Sequence, residues 1–216
     1  MVERSVEDRL REEYFEILRN IRRVAEHLEA KVKYCLLPIS RKLDKYERLV
    51  VTSRIKECES AIDALRRRRH TEGRTFDRTH PDKYTLTDLN DLAGVRVLAF
   101  PRKRLIEIDQ ELRKKFKDWK ADPVPGFENI DDPLAFKYYG YCEEASRKIR
   151  GELQIVSMLT GLFWEVEHAA IYKPTPRLRG VARSLEMQER NKEVLAALRA
   201  FEEEFEKQIR DSIQQS

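Results

Sequence analysis

Residues 84–100 read YTLTDLNDLAGVRVLAF, and the fold turns on how this stretch is understood. A polar, turn-prone lead reaches Asp91 and Gly94, after which Val95, Arg96, Val97, Leu98, Ala99 and Phe100 form an almost unbroken apolar run. Such a run predicts a buried strand with charged groups at its entrance. A carboxylate in that position is costly to bury unless it meets a cation or a hydrogen-bond donor. Asp91 is therefore open to two readings: a metal ligand, or a cap on the backbone N–H groups of the turn.

Outward from this strand, the chain alternates helical and extended periods. On the N-terminal side, Leu10, Tyr14, Ile17, Ile21, Val24 and Leu28 recur at spacings of four and three, which predicts a helix with a narrow seam suited to another helix. Pro38 is expected to end it. Residues 49–51 (LVV) read as a short strand, and TSRIKECESAIDALRRRR (52–69) as a helix with Ile55, Cys58, Ile62 and Leu65 inward and Lys56 and Ser60 on another face. Residues 70–83 read as a polar loop. On the C-terminal side, Leu105, Ile108 and Leu112 mark an amphipathic helix, and 117–136, with Pro123, Pro125, Gly126 and Pro133, a long loop with one strand edge. FKYYGY (136–141) and GELQIVS (151–157) have strand character. A helix follows over about 158–172, then a last helix from about Arg183 with Leu185, Val194, Leu198, Phe201, Phe205 and Ile209 on one stripe. The order predicts an α+β fold, one mixed sheet flanked by helices, with long terminal helices packed on the sheet or on a second subunit.

Composition bounds the rest. The chain has 216 residues, 41% of them hydrophobic, which suffices for the core of a soluble globular protein of one large domain or two small ones. Lys and Arg (43) nearly balance Asp and Glu (39), so the net +4 implies only a mild bias toward anionic partners. Cys35, Cys58 and Cys142 are widely spaced and in no metal-ligand pattern, which favours a reducing compartment. The opening residues are too charged for a signal peptide, and no segment approaches the ~20 apolar residues of a membrane span. A cytoplasmic address without membrane contact is expected.

The residues with chemical potential converge. Glu152 stands just before the core strand LQIVS, as Asp91 does before its own. If those strands are neighbours, the two carboxylates meet and can hold a hard divalent ion. Arg54, Lys56, Arg96, Lys137 and Lys173 are cations suited to phosphates, and Tyr141 offers a face on which a base can stack. Tyr138 and Tyr139 read as half-buried sheet residues. Arg66–Arg69 suit either RNA or the C-terminal dipole of their own helix. His168 reads as a packing residue, and His27, His70 and His80 have no visible role.

The strings VTSRIKECES (51–60), DLAGVRVL (91–98), KYYGY (137–141), ELQIVSML (152–159) and FWEVEHAAIYK (163–173) resemble, in order, the motifs of the RelA/SpoT-type synthetase domain, whose members make the alarmones guanosine tetra- and pentaphosphate. The resemblance implies a nucleotidyltransferase-like mixed sheet over 46–178, between an N-terminal helical segment (1–45) and a C-terminal helix (179–216), as in a small stand-alone synthetase. It implies that Asp91 and Glu152 bind Mg²⁺, with Glu152 as general base. By the same resemblance Arg54, Lys56, Ser60 and Arg96 are ATP-binding, Arg54 stacking on adenine, while Lys137 and Tyr141 bind the acceptor, Tyr141 stacking on guanine. The implied reaction moves the β,γ-pyrophosphate of ATP to the ribose 3′-hydroxyl of GDP or GTP. The family's GYxSxH departs here to Gly140-Tyr141-Cys142-Glu143-Glu144-Ala145, and the shorter distance to Glu152 implies a trimmed hairpin. Two other readings stand beside it: a toxin-type enzyme modifying the tRNA 3′ end, with an antitoxin partner, and a non-catalytic nucleotide-binding domain. The seams of the terminal helices make a homo-oligomer plausible.

Overall fold

The computed structural model describes residues 5–69, 76–77, 80–125, 133–167 and 184–214. Their elements run α1 (Val6–Ser40), β1 (Arg48–Ile55), α2 (Cys58–Arg69), 3₁₀ turns at Pro81–Lys83 and Leu86–Asp88, β2 (Ala93–Phe100), α3 (Arg104–Lys115), β3 (Lys120–Ala121), β4 (Ala135–Cys142), β5 (Ser146–Ser157), α4 (Met158–Glu167) and α5 (Leu185–Gln214). The expected α+β architecture, a mixed sheet with flanking helices, is what forms.

The sheet order is β1-β2-β5-β4-β3. The apolar run of residues 93–100 is β2, buried except at Arg96 and Phe100. It lies antiparallel to β1 and parallel to β5, and β4 is antiparallel to β5. The period of two along each strand then divides the sheet into two faces. One face carries Val95, Val97, Ala99, Leu153, Ile155 and Tyr138 into the main core, beneath α1 and α3. Across the other face the register sets residues in rows: Arg54, Gly94, Glu152 and Tyr139; then Thr52, Arg96, Gln154 and Lys137; then Val50, Leu98, Val156 and Ala135. The last row ends in a small apolar cluster with Met158 and Trp164.

α1 is capped by Ser5, whose hydroxyl accepts from Asp8 N–H at 3.1 Å. Its buried stripe is wider than a two-helix seam, taking in Ala25, Val32, Cys35 and Leu36, because it packs on β1, β2 and β5 as well as α3. Pro38 does not end it. The helix runs on to Ser40, and in the final turn a missing proline N–H removes only one of the last intrahelical bonds.

The reading of 52–57 as helix is also corrected. Thr52–Ile55 belong to β1, which is longer than the three residues expected, and α2 begins at Cys58. As an edge strand, β1 buries one face only, through Leu49 and Val51, so its polar half resembles a helical period. The β4–β5 hairpin is short, Cys142 pairing with Ser146 and Ala145 N–H donating to Cys142 C=O at 2.9 Å. On α5 the buried positions are Leu195 and Glu202, while Leu185 and Phe201 of the expected stripe are exposed and Phe205 packs on Tyr46 and Phe100. No described helix is long and apolar enough to cross a membrane.

Gly140 is required by packing. A Cβ there would lie 2.3 Å from Trp119 Cδ1, and the Trp119 indole N–H is tied to the Tyr141 carbonyl at 3.3 Å. Gly140→Ala is expected to cost about 1–3 kcal/mol by overpacking. A urea midpoint equal to that of the parent would show that Trp119 yields freely.

Candidate active site

The polar rows of the sheet form the floor of a cavity of about 840 Å³. Among the described residues its wall holds six cations (Arg54, Lys56, Arg67, Arg68, Arg96, Lys137) and five carboxylates (Glu57, Asp91, Glu152, Glu165, Glu167), with Ser60, Tyr139, Gln154 and Trp164 beside them.

Asp91 sits in the turn before β2. The Lys56 N–H donates to Leu92 C=O at 2.9 Å, carrying the β1–β2 pairing one residue beyond the strand and setting Lys56 beside Asp91. Lys56 Nζ donates to Asp91 Oδ2, and Arg68 Nη2 stands 3.7 Å from Oδ1. Burial raises the Asp91 carboxyl, but Lys56, Arg68 and Arg54 outweigh it and hold the group below the ordinary carboxylate range. Among the described residues Asp91 Oδ1 is buried without a hydrogen bond, an acceptor that a hard cation would satisfy.

Glu152 lies on β5 beside Gly94 of β2, confirming that the two strands are neighbours. It is 3% exposed, and β5 begins earlier than expected, so Glu152 lies within the strand, one residue past Gly151, where pairing on both sides begins. Arg54 Nη2 donates to Glu152 Oε2, and the Tyr139 hydroxyl donates to Oε1 at 3.3 Å. The Arg54 side chain reaches it by crossing β2 at Gly94, where an added Cβ would be 3.2 Å from Arg54 Nε. Burial pushes the Arg54, Lys56 and Lys137 cations toward losing their protons, with the neighbouring Arg54 charge adding to the effect on Lys137. Arg96 Nε donates to Gln154 Oε1 at 2.8 Å, and its Nη1 pairs with Glu165 at 3.1 Å.

Thus Asp91, Glu152, Arg54, Lys56, Ser60, Arg96 and Lys137 are brought together, although Lys56 arrives from the β1–α2 turn rather than from a helix. Tyr141 is not in the cavity wall. It lies one alternation beyond Tyr139, exposed, with Arg150 over its ring at 5.2 Å and donating to its hydroxyl at 3.1 Å; Asn90 Oδ1 holds the same guanidinium at 2.8 Å. Lys173 and His168 lie outside the described residues.

Sequence reading missed several residues of this wall, Arg68, Tyr139 and Gln154 among them. Arg68 belongs to the run read as a helix terminus or RNA contact, and α2 turns it toward Asp91. Tyr139 is the half-buried sheet residue expected, whereas Tyr138 is buried in the core, and Tyr139 in addition bonds Glu152; its period-two relation to Lys137 and Tyr141 carried the signal. Gln154 is visible only through the pairing that sets it beside Arg96.

The arrangement defines a class: an α+β domain with two neighbouring carboxylates under a ring of cations, suited to phosphate chemistry. Solved structures give the fold a closer identity. Small alarmone synthetase 1 from Bacillus subtilis superposes with TM-score 0.65 at 16% identity, over 95% of this chain and 100% of that one. The same synthetase bound to its product pppGpp gives 0.61 at 19%, over 94% and 99%. A GTP pyrophosphokinase family protein from Streptococcus pneumoniae gives 0.62 at 20%, over 94% and 95%. The chain therefore has the alarmone synthetase fold along nearly its whole length. No family model and no curated protein matches its sequence.

Proposed function

We propose that the protein is a pyrophosphokinase that transfers the β,γ-pyrophosphate of ATP to the ribose 3′-hydroxyl of GDP or GTP. The observation that carries this reading is the meeting of Asp91, in the turn that enters β2, and Glu152, on the adjacent parallel strand β5, in one cavity beneath cations from β1, α2, β2 and β4. In the reaction the 3′-oxygen bonds to the β-phosphorus, the bond from that phosphorus to the α,β-bridging oxygen breaks, and AMP leaves. The hydroxyl proton passes to Glu152.

Arg54 and Lys56 now neutralise Glu152 and Asp91. An incoming triphosphate competes for both cations and releases the carboxylates for their own work. Arg96 and Lys137, lying in one row, then face the phosphates, and Ser60 donates from α2. Asp91 and Glu152 form an oxygen-only donor set that fits Mg²⁺, and Asp91 has the unsatisfied oxygen such an ion needs. Bound there, the ion would offset phosphate charge in the transition state. These substrates and the three free cysteines accord with a cytoplasmic location.

The acceptor is tested with γ-labelled ATP, Mg²⁺ and, in turn, GDP, GTP and deacylated tRNA. Label on GDP or GTP is expected. Label on tRNA alone would replace the acceptor, a reading favoured by the exposed Arg147 and Lys148 on the outer end of β5. No labelled product at all would leave the fold without this activity. Tyr141→Ala is expected to raise the acceptor KM about tenfold or more through lost stacking while leaving the ATP KM in place. A raised ATP KM instead would assign Tyr141 to the donor half.

A further inference from the structure

Away from the cavity, on the α1 side of the sheet, three side chains that sequence reading left without a role come together. His27 extends from α1, and Cys142 and Glu144 from the β4–β5 hairpin. One ligand atom from each lies within 4.8 Å of the others. We propose that His27, Cys142 and Glu144 form a binding site for a borderline-soft divalent cation of the zinc type, which clamps the β4–β5 hairpin to α1.

Imidazole, thiol and carboxylate together are the ligand set of zinc, unlike the oxygen-only pair in the cavity. Cys142 is 2% exposed and points to α1, whereas Glu144 is exposed, so the site has a shielded sulfur and an open side for entry and for a water ligand. The carboxylate is already oriented. Glu144 Oε1 is held by Lys31 at 3.2 Å, which leaves Oε2 directed at Cys142 Sγ, 3.7 Å away. Lys31 stands one helical turn beyond His27, so the same face of α1 supplies both a ligand and the group that steers another. Bond lengths near ~2.1 Å to nitrogen and ~2.3 Å to sulfur draw such ligands to roughly 3.5 Å apart, a contraction within reach of side-chain rotation. On binding, the Cys142 thiol gives its proton to solvent. The ligands come from segments far apart in the chain, which is why no cysteine or histidine spacing announced them.

The test uses the full chain, stripped of metal with a chelator and given Co²⁺. A thiolate-to-cobalt charge-transfer band in the near-ultraviolet is expected, displaced by Zn²⁺ and not by Mg²⁺, and Zn²⁺ should raise the melting temperature. Cys142→Ser should remove the band. His27→Gln, at a partly exposed helix position, should weaken Co²⁺ binding at least tenfold, whereas Asp91→Asn should leave the band intact. Absence of the band in the parent protein, or a band undiminished in both Cys142→Ser and His27→Gln, would overturn the site.

Discussion

Asp91→Asn and Glu152→Gln are each expected to lower the rate of pyrophosphate transfer by at least about 10²-fold with the fold intact. Each removes one of two carboxylates that no neighbour in the cavity replaces, because the remaining acids among the described residues, Glu57, Glu165 and Glu167, come from the β1–α2 turn and α4 rather than from the entrance of β2 and from β5. Their effects on nucleotide binding should run the other way. Asp91→Asn leaves Lys56 and Arg68 without their carboxylate, and Glu152→Gln does the same to Arg54, so each makes the cavity more positive. Metal-free ATP should therefore bind as well as before or more tightly while kcat collapses. Single-turnover rates with equilibrium ATP binding would read both quantities. Retained transfer in either variant would mean that the carboxylate pair is not the reacting centre.

The second large effect concerns stability. Glu202 on α5 is fully buried, and among the described residues no well-formed hydrogen bond reaches either carboxyl oxygen. Burial raises its pKa from the ordinary 4.5 to about 7, with Ser157 and Arg102 offsetting part of that and Glu206 and Glu203 adding to it. A pKa raised by folding means that the native state holds the proton more tightly than the unfolded chain. The carboxyl is therefore accommodated without penalty below about pH 4.5, and stability falls as pH rises through 7. Unfolding in urea should show a loss of about 3 kcal/mol attributable to this group between pH 4 and 8. Glu202→Gln should remove that loss, so that its advantage over the parent protein is full at pH 8 and vanishes by pH 4. A difference between the two that does not change with pH would show that Glu202 does not titrate in this range.

Legibility followed the local strength of each signal. The run of residues 93–100 and the apolar stripes of α1 and α3 were readable because burial there covers enough consecutive turns or residues to impose a period. β1 was readable only at 49–51, because an edge strand buries one face and spends the other on the cavity, and its polar C-terminal half merged with the helix beyond. Pro38 misled because the cost of a missing N–H depends on how many bonds remain after it, a property of the helix end. Within the site, Asp91 and Glu152 stood out as carboxylates beside apolar strands, whereas Arg68, Tyr139 and Gln154 are ordinary residues until pairing brings them to the same cavity.

The order of elements, the buried strand and the two carboxylates at its edge and its neighbour's are local properties, written in the alternation of polar and apolar side chains. What only the tertiary structure decided is adjacency. Parallel pairing of β2 with β5 sets Glu152 beside Gly94, near Asp91, and the lack of a side chain at Gly94 lets Arg54 cross to it. The tight β4–β5 turn likewise carries Cys142 and Glu144 to His27. Contacts between segments distant in the chain depend on register and packing, and a one-residue slip in either strand would turn these side chains to the opposite face of the sheet.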